Sequence, residues 1–269
     1  MYRNSHNKLA IALAVFLSFC MNACQKSSIG PTDPNYPTTF SRLDPSDYTN
    51  KLVAYWAQNP TVRSGLNTLG FCYSSINNRD LPYPADSVGL TMEEAYALAR
   101  NFAAANPMET GVSDASALVF TDFFQFKAFS GYNVTYFRAR EQMADSMEVS
   151  YATIGFRMEN DHIVECTGNW YPNIYIPANF TFSVNEALHK LVGVDDGIWT
   201  WGGPVSKKIT ETDLTNADVS KCIYPLIFQD IRTELHVVYK INLSNAFNIY
   251  YLDVMDGKII AEEPKFISK

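Results

Sequence analysis

The chain has 269 residues, 47% of them hydrophobic, 14% aromatic and 18% charged. That length can bury a sizeable core in one or two domains, and the composition excludes a disordered chain. A formal charge of −7 leaves no basic surface for phosphates, which excludes nucleic acid as a partner.

Arg3, His6 and Lys8 precede the apolar run LAIALAVFLSFC, Leu9 to Cys20. The run is too short for a comfortable membrane span and carries the charged lead of an export signal. Met21-Asn22-Ala23-Cys24 follows, a small residue before a cysteine at the end of an apolar core. This resembles the bacterial lipoprotein cleavage box, which implies cleavage after residue 23 and lipidation of Cys24. A plain signal peptide and an uncleaved anchor are the alternatives. Residues 24–48 hold Pro31, Pro34, Pro37 and Pro45 among Ser and Thr, the composition of an extended tether.

Leu52, Tyr55 and Trp56 stand at helical spacing in Tyr48 to Gln58, and Asn59-Pro60 ends that helix. Thr61 to Val88 is polar and rich in turn signals. Thr91-Met92-Glu93-Glu94 is a capping box, and the helix it opens runs through Ala95, Ala99 and Ala103 to a stop before Pro107. Ala117 to Phe129 reads as a strand. Three further strand runs follow: Tyr132 to Arg140, Glu148 to Met158 and Ile163 to Trp170. The polar turn Glu159-Asn160-Asp161-His162 separates the last two, so the set reads as an antiparallel meander. Pro172 ends it, because it cannot donate to a ladder.

This stretch, with Val164 and then Gly168-Asn169-Trp170-Tyr171-Pro172, resembles the propeptide module of fungalysin and thermolysin proteases. The resemblance implies a secreted pro-region, here without the catalytic protease domain.

The second half repeats the pattern. Ser183-Val184-Asn185-Glu186 is another capping box, opening a helix with Leu188, Leu191 and Val192 inward and Gly193 at its stop. Cys222 to Phe228, Thr233 to Leu243, Asn248 to Val254 and Gly257 to Ala261 read as strands. Pro225 places the first at an edge, and Met255-Asp256-Gly257-Lys258 is a hairpin turn. Leu235 to Leu243, Tyr250-Tyr251-Leu252-Asp253-Val254 and Asp256-Gly257-Lys258-Ile259-Ile260 resemble the ending of a PepSY module. Propeptide-like then PepSY-like is the order in those pro-regions. The expected fold class is therefore α+β, as two consecutive units, each a helix packed on a small antiparallel sheet, PepSY- or cystatin-like. The expected boundaries are a lipoprotein signal over 1–23, a tether over 24–48, a propeptide-like unit over 49–178 and a PepSY-like unit over 179–269.

Reactive chemistry is not legible. None of His6, His162, His189 and His236 has the second His and intervening Glu of a zinc-protease helix. There is no Gly-x-Ser-x-Gly elbow, phosphate loop or dinucleotide fingerprint. Asp195-Asp196-Gly197 lacks the spaced oxygen ligands of a calcium loop and reads as a solvated turn. Cys72, Cys166 and Cys222 show no paired spacing; at most one bridge can form among them.

The expectation is a non-enzymatic protein with no catalytic residue, metal or cofactor. It is held through Cys24 at the outer membrane of a bacterial envelope, periplasmic or surface-exposed. There it acts as a binding module, as a peptidase inhibitor or chaperone. The alternative is a glycan-binding lipoprotein. Trp170, Tyr171, Trp199 and Trp201 are the candidate partner surface, apolar on their faces and polar at their tips.

Overall fold

A computed structural model describes residues 34–74, 89–129, 131–200, 202–229 and 231–265. The signal segment, Cys24 and Trp201 lie outside the described residues. Residues 35–269 form one compact unit.

Two sheets organise it. The smaller has the order β4-β5-β8-β9: Phe120–Lys127, Asn133–Ala139, Ile154–Glu159 and His162–Gly168, all antiparallel. Its inner face carries Phe120, Phe137, Ile154, Phe156 and Met158, on which helix α2, Met92–Ala105, lays Ala95, Ala99 and Ala103, all fully buried. Three alanines one turn apart let the helix axis approach the aromatic face closely. The Thr91–Glu94 box forms as expected: Thr91 Oγ1 accepts from the Glu94 amide at 3.3 Å, and the Glu94 carboxylate accepts from the Thr91 amide at 2.8 Å. Helix α1, Pro45–Gln58, adds Tyr55 to the same core.

The larger sheet has seven strands. Its path is β15-β14-β13-β12-β7-β6, with β1 as an extra partner of β13. These are Ile259–Pro264, Asn248–Asp253, Arg232–Asn242, Asp218–Phe228, Met147–Val149, Met143–Ala144 and, for β1, Thr38–Ser41. Its inner face carries Ile223, Leu235, Val237, Tyr239, Ile241, Tyr250 and Leu252. The short helix α4, Val184–Lys190, packs Ala187 there, with Leu191 just past its end. Three smaller elements complete the set. Helix α3 is Pro107–Thr110; β2 and β3, Gly65–Leu66 and Cys72–Tyr73, form one hairpin, and β10 and β11, Asp195–Thr200 and Gly203–Lys208, form another.

The expectation of two consecutive units, each a helix on a small antiparallel sheet, is overturned. Among the described residues about 40% are strand and 21% helix, and the large sheet is mixed. It draws β1, β6 and β7 from before residue 178, with β7 parallel to β12 through Cys222↔Glu148 and Ile223↔Val149. The reason is local. Glu148 to Met158 reads as one strand run, but Tyr151 has φ +61°, and the chain turns there. Met147–Val149 therefore joins the large sheet and Ile154–Glu159 the small one. Strand β12 is flanked by β13 and β7 rather than lying at an edge. Pro225 is tolerated because β7 reaches only Cys222 and Ile223.

β1 and the start of α1 fall within the stretch 24–48, and a polar node fastens β1 in place. β1 pairs with Arg232 to Leu235 on one edge of β13, and β14 pairs with Val238 to Asn242 further along that edge. At the gap, His236 Nδ1 lies 2.6 Å from Asp253 Oδ2, and its Nε2 lies 3.2 Å from Glu234 Oε2. Tyr36, two residues before β1, donates to Asp253 Oδ2 at 2.7 Å and accepts the Val237 amide at 3.0 Å. Burial alone would lower the His236 pKa, but the bonds and charges of Asp253 and Glu234 outweigh it and raise it above 6.5. Burial likewise opposes ionisation of Asp253, yet the bonds from His236 and Tyr36 hold its pKa below the usual value.

Two predictions follow from this geometry. Gly168 has φ +122°, and a Cβ there would lie 2.1 Å from the Thr153 carbonyl oxygen. Gly168→Ala should cost roughly 2–4 kcal/mol in urea unfolding. The folded state binds the His236 proton more tightly than the unfolded chain does. The charged node is therefore fully formed below pH 6.5 and is lost as pH rises through the elevated folded value. At the acid end, the Asp253 contribution is lost as pH falls through its depressed value. Unfolding free energy should decline above pH 6.5, and the difference between wild type and His236→Gln should shrink with it, from on the order of 2 kcal/mol at pH 6. A pH-independent difference would refute the charged node.

Candidate functional site

A cleft of about 570 Å³ opens between the β2–β3 hairpin, the end of β9 and the β12–β13 hairpin. Asn67 shapes the first wall: its Oδ1 accepts the Leu69 and Phe71 amides at 2.9 and 3.1 Å, bending the chain through Gly70 at φ +85°. Its Nδ2 donates to Asn169 Oδ1 at 3.2 Å and so ties the hairpin to the segment after β9. Tyr48 closes one end, its hydroxyl donating to the Leu66 carbonyl at 3.0 Å. Arg232 and Thr233 face in from β13. Hydroxyls, amides and one guanidinium, the last paired with Glu234 at 3.0 Å, share this lining with Leu66, Leu69 and Ile227. Among the described residues the lining holds no carboxylate, thiol or imidazole, and so no nucleophile–base pair. It can hydrogen-bond a neutral polar ligand or a backbone.

The titratable clusters elsewhere are closed on themselves. On the outer face of the large sheet, Tyr251 donates to Glu263 Oε2 at 2.7 Å and Tyr224 to Oε1 at 3.1 Å, and Tyr151 also donates to Oε1. Burial, then the Glu263 charge, raises Tyr224 to about 12 and also pushes Tyr251 up. All three phenol hydrogens are donated to one carboxylate. Glu159 is fully buried between Arg63, 2.7 Å away, and Arg157, at 2.5 Å. No group of three or more His, Cys, Asp or Glu among the described residues could hold a metal ion.

Asp195-Asp196-Gly197 is not a solvated turn. It begins β10, and buried Asp196 accepts from the Phe247 and Asn248 amides at 2.6 and 3.1 Å and from the Tyr250 hydroxyl at 2.7 Å. The carboxylate fastens the β10–β11 hairpin to β14.

The four expected aromatics do not share one role. Tyr171 lines the cleft but is only 3% exposed, its ring 5.3 Å from Phe40 and 6.0 Å from Phe71. Gln142 clamps its backbone, accepting the Tyr171 amide at 2.8 Å and donating to its carbonyl at 2.6 Å. Burial raises its phenol to about 12. Trp170 is half-buried against the α2 core. Trp199 is 83% exposed on β10. Trp201 lies outside the described residues. Of the histidines, His162 and His189 are exposed and His236 belongs to the β1 node.

Sequence reasoning named no site on β4, where a row of aromatics is exposed. β4 is an edge strand that pairs, among the described residues, only with β5. Phe124 is 60% exposed and Phe126 42%, with Tyr136 of β5 beside them; the Phe126 and Tyr136 rings stack at 6.3 Å. Arg157, ion-paired with Glu159, lies 5.8 Å from the Tyr136 centroid at the end of this row. A bulge between Thr121 and Phe124, with Asp122 at φ +55°, kinks the start of the strand. The signal was present in FTDFFQFK: aromatics on both faces of a strand exceed what a one-sided antiparallel sheet buries.

No family model matches the chain, and no curated protein matches it. Among solved structures, the C-terminal domain of Bacillus megaterium YpeB is a weak neighbour, with a TM-score of 0.26 and 11% identity over 70% of this chain and 74% of that chain.

Proposed function

We propose that this chain is a non-enzymatic binding module of the bacterial envelope, anchored through a lipid on Cys24, which takes an extended segment of a peptidase on its β4 edge. The observation that carries the reading is a strand edge that, among the described residues, has no partner, beside exposed Phe124 and Phe126. Such an edge adds a partner strand: main-chain hydrogen bonds give affinity, and side chains on alternate positions give selectivity. The pro-region-like order of motifs supports a peptidase as that partner.

Envelope extract passed over immobilised protein should yield a peptidase in stoichiometric amount, with its activity lowered while bound. Phe124→Lys with Phe126→Lys should abolish recovery and change stability by no more than about 0.5 kcal/mol, because both rings are exposed. Recovery unaffected by the double variant, or no peptidase retained at all, refutes docking on β4. The anchor is tested separately. Cys24→Ser should move the protein from the membrane to the soluble fraction, and an unchanged membrane share would remove the lipid.

A further inference from the structure

We propose that Cys72 and Cys166 form a disulfide that locks the β2–β3 hairpin onto strand β9, leaving Cys222 as the free thiol among the described residues. Spacing in the sequence left open which of three pairings could form; the fold selects one. Leu66 pairs with Cys72 across the hairpin. Just before it, the chain is stitched to β9: the Arg63 amide donates to the Val164 carbonyl at 2.7 Å, and the Cys166 amide donates to Ser64 Oγ at 3.1 Å. Cys72 and Cys166 are therefore held in one core cluster, 1% and 0% exposed, on strands β3 and β9, which pack against each other. The Tyr55 hydroxyl lies 3.4 Å from Cys72 Sγ. Cys222 is on the outer face of the other sheet, where Ser150 donates to its sulfur at 3.7 Å.

All three are free thiols in the structure, so the bond needs an oxidant, which is the disulfide of a dithiol carrier. One protein thiolate attacks a carrier sulfur, the carrier S–S bond breaks, and one carrier thiol leaves with the electron pair. The second protein thiolate then attacks the mixed disulfide and expels the other carrier thiol. Two protons and two electrons leave the protein, and the carrier is reduced. Burial pushes the Cys166 thiol well above its ordinary value, so the closed fold supplies little thiolate. Exchange must precede docking of the hairpin on β9. Formation in the cell rests on the export reading above; formation during refolding does not.

The test uses residues 25–269, which contain the compact unit and both main cores. The protein is unfolded with reductant, refolded in a buffer of reduced and oxidised glutathione, and alkylated in denaturant. The expected product carries one alkyl group instead of three and is lighter by about 2 Da before alkylation. Digestion should give the linked Cys72 and Cys166 peptides. Cys222→Ala should keep that link, and its urea midpoint should fall on reduction. Three alkylated thiols after oxidative refolding, or any link through Cys222, overturns the proposal. If protein from the envelope is reduced while the refolded protein is bridged, the export reading fails and the bridge stands.

Discussion

Strand β13 is paired along all eleven residues with β12 and, on its other edge, by β1 and β14 lying end to end. Sharing one edge between two short strands leaves a break in the ladder, and a break inside a sheet leaves polar groups to be satisfied. The Tyr36–Asp253–His236–Glu234 node sits at that break. The His236 imidazole lies between two carboxylates, and a tyrosine from the β1 side donates to Asp253 and accepts a backbone amide. The N-terminal strand thus belongs to the sheet by charge as much as by ladder bonds. Because β1 also brings Phe40 onto Phe71 and Tyr171, the same node sets the aromatic floor beneath the cleft.

Helices were legible where their signals are local. Both Ser/Thr-x-x-Glu boxes form with reciprocal bonds, because capping chemistry involves residues three apart and nothing else. A third box, Thr210 with Asp213, was overlooked because Asp stands where Glu usually does; the shorter side chain still accepts from both the Thr210 amide and its hydroxyl. The Asp-Gly hairpin was also legible, since Gly257 takes φ +66° between β14 and β15. These are short-range facts written in neighbouring residues.

Sheet membership was not legible. A strand run tells which residues are extended but not which edge they meet, and pairing across seventy residues leaves no mark on periodicity. β7 and β8 look continuous in sequence, and only the positive φ of Tyr151 separates them. Likewise Asp196 looks like a turn residue until β14 supplies two backbone amides to it. The candidate surface failed for a related reason. Burial of an aromatic depends on what lies across the sheet, so Tyr171 and Trp199, alike in sequence, end at 3% and 83% exposure.

In the proposed reading, the β4 edge and the cleft divide the chemistry of recognition between them. The cleft wall is made rigid by Asn67, Asn169 and the Gln142 clamp on Tyr171, so its hydrogen-bonding groups are held in place before any ligand arrives. The edge is different: its backbone groups are ordered by β5, but its outward rings carry apolar surface that water leaves poorly solvated. Exposed phenylalanines on a paired but open strand are an aggregation hazard unless something limits access. The bulge at Thr121–Phe124 shortens the flat part of the edge, and the Asp122–Arg138 pair at 2.6 Å places charge beside it. In the proposed reading a second strand is received at Phe124 to Lys127, and the bulge and the charge pair work against a sheet-to-sheet stack along the whole edge. That combination is what a selective docking edge requires.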